Sequence, residues 1–251
     1  MPSLFVHHSI MTAPHISFVI PAYNEGLQLP ACICSIRDCL EPFPEHTYEI
    51  VVCDNNSSDN TSAVAESHGA RVVFEPHNQI AKARNTGAQA ARGTWLCFID
   101  ADTVMPPTLG KLFLEAIKNN QSGGGGTLVQ FDLHKTPWFA GLVVNFWNTI
   151  SFRLNLAAGS FLFCQRQAWV DVGGFDEDFY AAEELVFSKA IKKWCRANSL
   201  KFRIIKDASV LTSARKIEWN TPFSLFCTMI KLLRPGALKS REQCAFWYER
   251  P

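Results

Sequence analysis

The sequence lacks the loops that identify several large enzyme classes. It has no Gly-x-x-x-x-Gly-Lys-Ser/Thr and no Gly-x-Gly-x-x-Gly motif, which argues against kinases, GTPases and nicotinamide-dependent enzymes. A Gly-x-Ser-x-Gly turn is also missing, so a serine hydrolase of the α/β type is not expected. There is no excess of charge of one sign, because 24 basic residues balance 23 acidic ones, and no nucleic-acid partner is expected.

The nine cysteines include no Cys-x-x-Cys pair. They are scattered, odd in number and mostly set among apolar neighbours, as Cys53, Cys97 and Cys164 are. Buried reduced thiols in a cytoplasmic protein are therefore expected, in preference to a zinc site or a disulfide framework.

The patterns of a secretory signal and of a membrane span are missing as well. Residues 1–15 lack the basic start and the long apolar run of a secretory signal, and we interpret them as a loose leader. A membrane span needs about 20 mostly apolar residues, and polar residues interrupt the uncharged stretch 136–152. Apolar residues recur at every fourth position there, which predicts an amphipathic helix packed on the core, with a membrane-facing or acceptor-facing helix as the alternative.

From residue 16 onward, short apolar runs alternate with amphipathic stretches, a pattern typical of βαβ units. A chain of 251 residues is long enough for one such domain with a short appendage. We therefore expect a single α/β domain with a Rossmann-like, mostly parallel sheet flanked by helices. The predicted organisation is a leader at 1–15, a domain at 16–215 with halves 16–120 and 121–215, and a helical C-terminal extension at 216–251.

The apolar patterns also predict the individual elements. The predicted strands are 16–20, 50–53, 72–74, 95–99, 127–131, 159–164 and 202–205, and the predicted helices are 29–40, 61–67, 80–91, 106–118, 165–172, 183–195 and 221–234. Gly93 is predicted to stop the third helix, and the apolar side of helix 183–195 is predicted to hold Leu185, Ala190, Ile191 and Trp194. The run Gly123–Gly126 fits either a flexible linker or a backbone that approaches a ligand.

Acidic residues follow three of the predicted strands. Glu25 comes after the first, Asp54 after the second, and Asp100 and Asp102 directly after the buried run 95–99. The carboxyl ends of parallel strands meet at one edge of a sheet, where ligands bind. Clustered carboxylates raise one another's pKa unless a cation compensates. Asp-x-Asp offers hard oxygen ligands, so its position predicts a Mg²⁺ or Mn²⁺ site shared with phosphate oxygens, in preference to a simple turn.

Basic residues sharpen this prediction. Lys82 and Arg84 lie near the start of the helix that precedes the Asp-x-Asp strand, where they are expected to meet a base or a phosphate. A solvated helix face remains the alternative for Lys82. The pair Arg84-Asn85 is the stronger candidate.

Five motifs, taken in order, resemble those of the family 2 glycosyltransferases of GT-A fold. They cover roughly residues 16 to 195, and they are Val19-Ile20-Pro21-Ala22-Tyr23-Asn24-Glu25, Asp54-Asn55-Asn56-Ser57-Ser58-Asp59-Asn60-Thr61, Ala83-Arg84-Asn85-Thr86-Gly87, Asp100-Ala101-Asp102 and Gly173-Gly174-Phe175-Asp176-Glu177. The resemblance implies an inverting transfer of a sugar from a nucleotide-diphosphate donor, a UDP- or GDP-sugar, to a carbohydrate or lipid-linked acceptor. The half 16–120 would bind the donor and the half 121–215 the acceptor.

The resemblance also implies the site residues. Donor binding would fall to Pro21, Ala22, Tyr23, Glu25, Asp54, Arg84, Asp100, Ala101 and Asp102, with Asp100 and Asp102 holding Mn²⁺ or Mg²⁺. The catalytic base would lie in the pair Glu183-Glu184, where Glu184 stands in place of the more usual Asp. Two ordinary polar residues in the first turn of a helix are the alternative interpretation.

Two other functions stay open at this point. A nucleotide-sugar-binding protein without transferase activity would keep the fold and lack a competent base. A sugar nucleotidyltransferase is less favoured, since the first strand is not followed by a glycine-rich loop.

The chain after the last predicted strand has two readings as well. Arg215-Lys216 would either assist a leaving diphosphate or, more simply, be solvated surface charge. Residues 221–251 combine an apolar stretch with basic and aromatic residues. They would either contact an anionic membrane surface from the cytoplasmic side or, as we favour, pack on the domain.

Overall fold

The computed structural model of the chain describes residues 15–118, 121–131, 157, 159–215 and 234–248. The predicted helices 136–152 and 221–234 lie almost entirely outside these residues. Within the part of the chain that is described, no helix has the length and apolar character needed to cross a membrane.

Eight described strands form one sheet. They are β1 (Ile16–Ala22), β2 (Tyr48–Asp54), β3 (Arg71–Phe74), β4 (Trp95–Ile99), β5 (Thr103–Val104), β6 (Ser122–Phe131), β7 (Phe161–Gln165) and β8 (Lys201–Thr212). Their order across the sheet is β3-β2-β1-β4-β7-β6-β8-β5. Strands β1 to β4 pair in parallel, as predicted, whereas β7 runs antiparallel to both of its neighbours. The sheet is therefore mixed, with its parallel half built from the first hundred residues.

Seven α-helices and one 3₁₀-helix are described. The α-helices are α1 (Leu29–Leu40), α2 (Thr61–Ser67), α3 (Ile80–Ala90), α4 (Pro107–Lys118), α5 (Arg166–Val172), α6 (Glu183–Ala197) and α7 (Ala245–Tyr248), and the 3₁₀-helix is Ala237–Lys239. The predicted bounds of α1 and α2 are confirmed, and those of α3 to α6 differ by no more than two residues. Helix α3 ends where Ala91 takes an extended backbone, and α5 ends at Gly173, which has a left-handed backbone.

The core lies on both faces of the sheet. Every residue of β1 is buried, because successive side chains point to opposite faces and each face is covered. Phe18 packs in a cluster with residues of α1 and α4, whereas Val19 packs in a second cluster with residues of α3, α5 and α6. Helices on both faces leave the carboxyl edge of the parallel strands open.

Two glycine predictions are corrected. Helix α3 ends at Ala90 and is followed by Ala91 in an extended backbone, and Gly93 does not adopt the left-handed conformation of a helix stop. A Cβ at Gly93 would lie 2.6 Å from the backbone nitrogen of Ser17. Gly93 is therefore needed for the close approach of two backbone segments.

The glycine run is neither a linker nor a ligand contact. Gly123 to Gly126 lie within β6, and added Cβ atoms would meet neighbouring protein. At Gly123 the neighbour is Sγ of Cys195, at 2.7 Å, and at Gly125 it is the carbonyl oxygen of Arg203. Both predictions for this run are wrong, because the space is taken by α6 and by the adjacent strand β8.

The buried face of α6 also differs from the prediction. Its buried residues are Glu183, Phe187, Ser188, Ile191 and Cys195. Leu185 and Ala190 are only partly buried, so the apolar side is rotated from the predicted one. The rotation turns the side chain of Glu183 toward the interior.

Candidate active site

A cleft opens at the carboxyl edge of the parallel strands. Its lining residues are Pro21, Ala22, Tyr23, Glu25, Asn55, Asn78, Ile80, Asp100, Ala101, Asp102 and Tyr248. Seven of the nine residues predicted to bind a donor line it. The exceptions are Asp54 and Arg84, and four lining residues, Asn55, Asn78, Ile80 and Tyr248, were not among the predicted ones.

Asp54 lies at the end of β2 but directs its carboxylate into the loop that follows. One carboxylate oxygen accepts a hydrogen bond from the backbone N–H of Ser57 at 2.8 Å, and the other accepts one from the hydroxyl of Ser62. These bonds satisfy a carboxylate that is 7 % exposed. Asp54 therefore shapes the loop, and the next residue, Asn55, lines the cleft in its place.

Asn55 and Asn78 form the end of the cleft beside β2. The amide of Asn55 donates to the carbonyl oxygens of Glu75 at 3.3 Å and His77 at 2.5 Å. Asn78 donates to the carbonyl oxygen of Asn55 at 3.2 Å. Its own Oδ1 is buried and has no hydrogen-bond partner among the described residues. Two amide side chains, one of them with this buried oxygen, thus form this end of the cleft.

Arg215, which follows β8, ties two acidic residues of the cleft together. Its Nη2 lies 2.6 Å from Oε2 of Glu25 and 3.5 Å from Oδ2 of Asp102. Burial opposes its charge, but the hydrogen bond to Glu25 and the nearby carboxylates leave the pKa of the guanidinium raised. The favoured reading of Arg215 as solvated surface charge is wrong, since its side chain is 24 % exposed and ion-paired in the cleft.

Arg84 contacts the Asp-x-Asp motif from outside the lining of the cleft. Its side chain is 2 % exposed, and Nη2 lies 2.9 Å from Oδ1 of Asp100. Nη1 donates to Oε1 of Glu183, and the guanidinium carbon lies 5.3 Å from the centre of the Phe175 ring. The sequence predicts a direct contact between Arg84 and the donor, whereas the structure places the guanidinium outside the cleft lining, between two carboxylates.

The pair Glu183-Glu184 opens α6, as predicted, after Ala182 in a left-handed conformation at φ 61°. Glu183 is 3 % exposed and is ion-paired with Arg84. Burial and the charge of Glu183 raise the pKa of Glu184 to about 8, against the opposing effect of Arg84. The two neighbouring carboxyl groups therefore differ, since Glu183 is ion-paired with Arg84 whereas the raised pKa of Glu184 lets it exchange a proton near neutral pH.

Asn85 positions the turn that leads to this pair. Its amide donates to the carbonyl oxygen of Phe175 and to Oε1 of Glu177, each at 2.9 Å. Its Oδ1 accepts the backbone N–H of Phe175 at 2.9 Å. Gly174, at φ 76°, leaves room for this contact, because a Cβ there would lie 2.6 Å from Oδ1 of Asn85.

The residues fit a divalent metal ion that is bound partly by the protein and partly by a phosphate group. Among the described residues, no three His, Cys, Asp or Glu side chains come together as a complete ligand set. Asp100 and Asp102 are 27 % and 14 % exposed at the open end of β4. Mg²⁺ commonly binds one or two protein carboxylates plus substrate phosphates and water. Two hard carboxylates facing an open cleft match that kind of site.

The fold matches solved glycosyltransferase structures of the GT-A type. TarS of S. aureus superposes with a TM-score of 0.62 at 17% identity, covering 92% of this chain and 70% of that one. Glucosyl-3-phosphoglycerate synthase of Mycobacterium tuberculosis gives a TM-score of 0.60 at 17% identity over 92% of this chain and 80% of the other. A mannosyltransferase of Pyrobaculum calidifontis gives 0.59 at 18% identity, with coverage of 94% and 74%.

Sequence comparison gives closer relatives. A glycosyltransferase of Mycobacterium bovis is 32% identical over 190 residues, which cover 73% of this chain and 83% of the relative. The glycosyltransferase AglE of Haloferax volcanii is 26% identical over 192 residues, covering 71% and 61%. The family model described as glycosyl transferase family 2 matches residues 17–168, a span that includes the cleft strands β1 to β4 and Arg84. The chain belongs to the family 2 glycosyltransferases.

Proposed function

We propose that the protein transfers a sugar from a nucleotide-diphosphate donor to an acceptor hydroxyl, with inversion at the anomeric carbon. The donor would be a UDP- or GDP-sugar bound in the cleft between Asn55 and Asp102. Asp100 and Asp102 would hold Mn²⁺ or Mg²⁺ with the donor's diphosphate, and Glu184 would be the catalytic base. The acceptor would be a carbohydrate or a lipid-linked hydroxyl.

One observation carries this proposal. Arg84 makes contacts with Asp100 on one side and with Glu183 on the other, so the Asp-x-Asp motif and the glutamate pair belong to one buried network. An inverting transfer needs this juxtaposition, because the leaving diphosphate and the base must lie on opposite sides of the same anomeric carbon.

The solved relatives support the donor class. TarS has been crystallised with UDP and with UDP-GlcNAc. The mannosyltransferase of Pyrobaculum calidifontis has been crystallised with GDP-Man and Mn²⁺. The synthase of Mycobacterium tuberculosis has been crystallised with Mn²⁺, UDP-glucose and phosphoglyceric acid. A metal with a nucleotide diphosphate is therefore a recurring combination on this fold.

The metal would be held by Asp102, with Asp100 beside it fixed by Arg84. When bound, it would supply positive charge to the diphosphate as the bond to the sugar breaks. Arg215 lies next to Asp102 and Glu25, so its guanidinium is placed to face the same phosphate oxygens. Charge of this kind lowers the barrier because negative charge grows on the leaving group.

Glu184 would remove the proton of the acceptor hydroxyl as the oxygen attacks the sugar. A base works best when its pKa lies near the working pH, and the raised pKa of Glu184 meets that requirement. Glu183 and Arg84 would keep Glu184 in position, since the guanidinium fixes the first turn of α6.

Release of nucleoside diphosphate tests the proposal. The protein is incubated with Mn²⁺ and a panel of UDP- and GDP-sugars, with and without simple sugar acceptors, and nucleoside diphosphate is measured. We expect slow donor hydrolysis with at least one donor, lost on chelation with EDTA and in Asp102→Asn. The control variant is Asp178→Asn, which makes the same change at a side chain that is 72 % exposed and should keep full donor hydrolysis. Binding of donors without any turnover would contradict the proposal, and release of pyrophosphate would indicate a nucleotidyltransferase.

A further inference from the structure

The C-terminal segment 234–248 returns to the cleft that the first hundred residues build. Its last described residue, Tyr248, lines the cleft together with Asn78 and Ile80. The family model ends at residue 168, so this wall is supplied by a part of the chain that the family pattern does not describe. We propose that Tyr248 is a binding residue for the nucleoside part of the donor; this inference rests on the proposed function.

The side chain of Tyr248 is held in place on two sides. Its hydroxyl donates a hydrogen bond to the carbonyl oxygen of Tyr180 at 2.9 Å and accepts one from the backbone N–H of Ile80 at 3.5 Å. Its ring packs edge-on against that of Tyr180, with 5.8 Å between the ring centres. A tyrosine fixed by both its ring and its hydroxyl presents a preformed surface to the cleft, which lowers the entropy cost of binding.

The segment that carries Tyr248 is itself docked on the domain. The carbonyl oxygen of Leu238 accepts the backbone N–H of Tyr180 at 2.8 Å. Ala237 and Cys244 are fully buried. Nζ of Lys239 lies 2.9 Å from Oδ2 of Asp178, an ion pair at the surface. Docking therefore rests on buried contacts with the turn 178–181, just before the glutamate pair.

The chemistry of this end of the cleft suits a nucleoside. The polar side chains of Asn55 and Asn78 line this end of the cleft, and amide groups suit the hydrogen-bonding edge of a nucleobase. Tyr248 adds an aromatic surface beside them, and nucleobases pack favourably on such rings. Asp100 and Asp102 line the same cleft farther along the sheet, at the end of β4, where the diphosphate is proposed to bind.

Calorimetric titration with UDP and with GDP, each with Mn²⁺, tests the assignment in three variants. Tyr248→Leu removes the ring and is expected to weaken binding of the preferred nucleotide about ten-fold or more. Tyr248→Phe keeps the ring and is expected to stay within about three-fold of the wild type. Lys239→Ala removes only the surface ion pair with Asp178, which contributes little to the docking of the segment, and it should bind as the wild type does.

Hydrogen exchange of the unmodified protein gives a second readout that needs no variant. Backbone amides of 245–248 should exchange more slowly when the preferred nucleotide is bound. Wild-type affinity in Tyr248→Leu, or unchanged exchange at 245–248 in the nucleotide complex, would overturn the assignment. Equal weakening by Lys239→Ala and Tyr248→Leu would also overturn it, because the effect would then come from docking alone. If the wild type bound neither nucleotide, the proposed function itself would fail.

Discussion

Nη2 of Arg84 lies 2.9 Å from Oδ1 of Asp100 while Nη1 of the same side chain donates to Glu183. A single buried guanidinium thus connects the end of β4 with the first turn of α6. The contact with α6 is made only by the fold, since 99 residues separate Arg84, on α3, from Glu183 along the chain. This connection links the Asp-x-Asp motif to Glu183, the residue next to the candidate base Glu184.

Replacement of this guanidinium should damage stability and activity together. In Arg84→Lys a single ammonium cannot reach both carboxylates, which leaves one of them buried without its partner. We expect the free energy of unfolding in urea to fall by about 3 kcal/mol, and donor hydrolysis to fall with it. Arg92→Lys, at an exposed position after the same helix, is the control and should match the wild type. An Arg84→Lys variant of normal stability would show that the bridge is dispensable.

The raised pKa of Glu184 predicts how catalysis depends on pH. A protonated carboxyl group cannot accept the acceptor's proton, so kcat/KM should rise with pH and level off above about 8, the pKa of Glu184. Glu184→Asp should keep an acidic limb, displaced along the pH axis. A value of kcat/KM that does not change between about pH 6 and about pH 9 would exclude Glu184 as the base.

The same shift makes a prediction about stability. Because folding raises the pKa of Glu184, the folded chain binds more protons between the unfolded value of 4.5 and the folded value of about 8. Stability from this group is therefore complete below the lower value and is lost as the pH rises through the upper one. Glu184→Gln should melt at a higher temperature than the wild type at pH 9, by a margin that shrinks toward pH 5. A margin independent of pH would contradict the assignment.

Arg215 is expected to contribute to diphosphate binding. Arg215→Ala removes a cation that lies beside Glu25 and Asp102, and it should weaken binding of UDP or GDP by about ten-fold, the scale of one hydrogen bond to a charged group. Arg234→Ala changes an exposed arginine and serves as the control. Equal affinities in the two variants would remove Arg215 from the donor site.

Two glycines of different environment should differ in their tolerance of a methyl group. At Gly125 the added Cβ would overlap the carbonyl oxygen of Arg203 in the adjacent strand. We expect Gly125→Ala to cost about 3 kcal/mol of unfolding free energy in urea, or to prevent folding. Gly173 has free space but a φ of 81°, so Gly173→Ala should cost only about 1 kcal/mol. A reversed order would mean that β6 can shift away from β8.

The sequence predicts the parallel half of the fold well because local patterns decide it. Strands β1 and β4 are apolar apart from Ser17 and are buried on both faces, and α1 has a clear amphipathic pattern. Strand β8 is harder, since Lys206 and Asp207 interrupt its apolar pattern after Ile205. The structure accommodates them with an irregular register against β6 between Thr127 and Leu128. Such irregularities depend on the neighbouring strand and leave no local signal.

The site shows the same division. Residues at strand ends, such as Glu25 and Asp102, are predicted because the topology of a parallel sheet brings them to one edge. Arg215 and Tyr248 reach that edge from far along the chain, through contacts that no local pattern encodes. The aromatic run at 246–248 was a visible signal, but its partner, the backbone of Tyr180 and Ile80, is defined only by the fold.

Glu184 is proposed to act as the base in a donor site centred on Asp102, and one comparison of two proteins tests this role. Donor affinity and the rate of nucleoside diphosphate release with the true acceptor are measured for the wild type and for Glu184→Gln. For Glu184→Gln we expect the same donor Kd as for the wild type and a transfer rate that is lower by roughly 100-fold or more, because a positioned base usually contributes about that much. A Glu184→Gln variant that transfers sugar at the wild-type rate would contradict it.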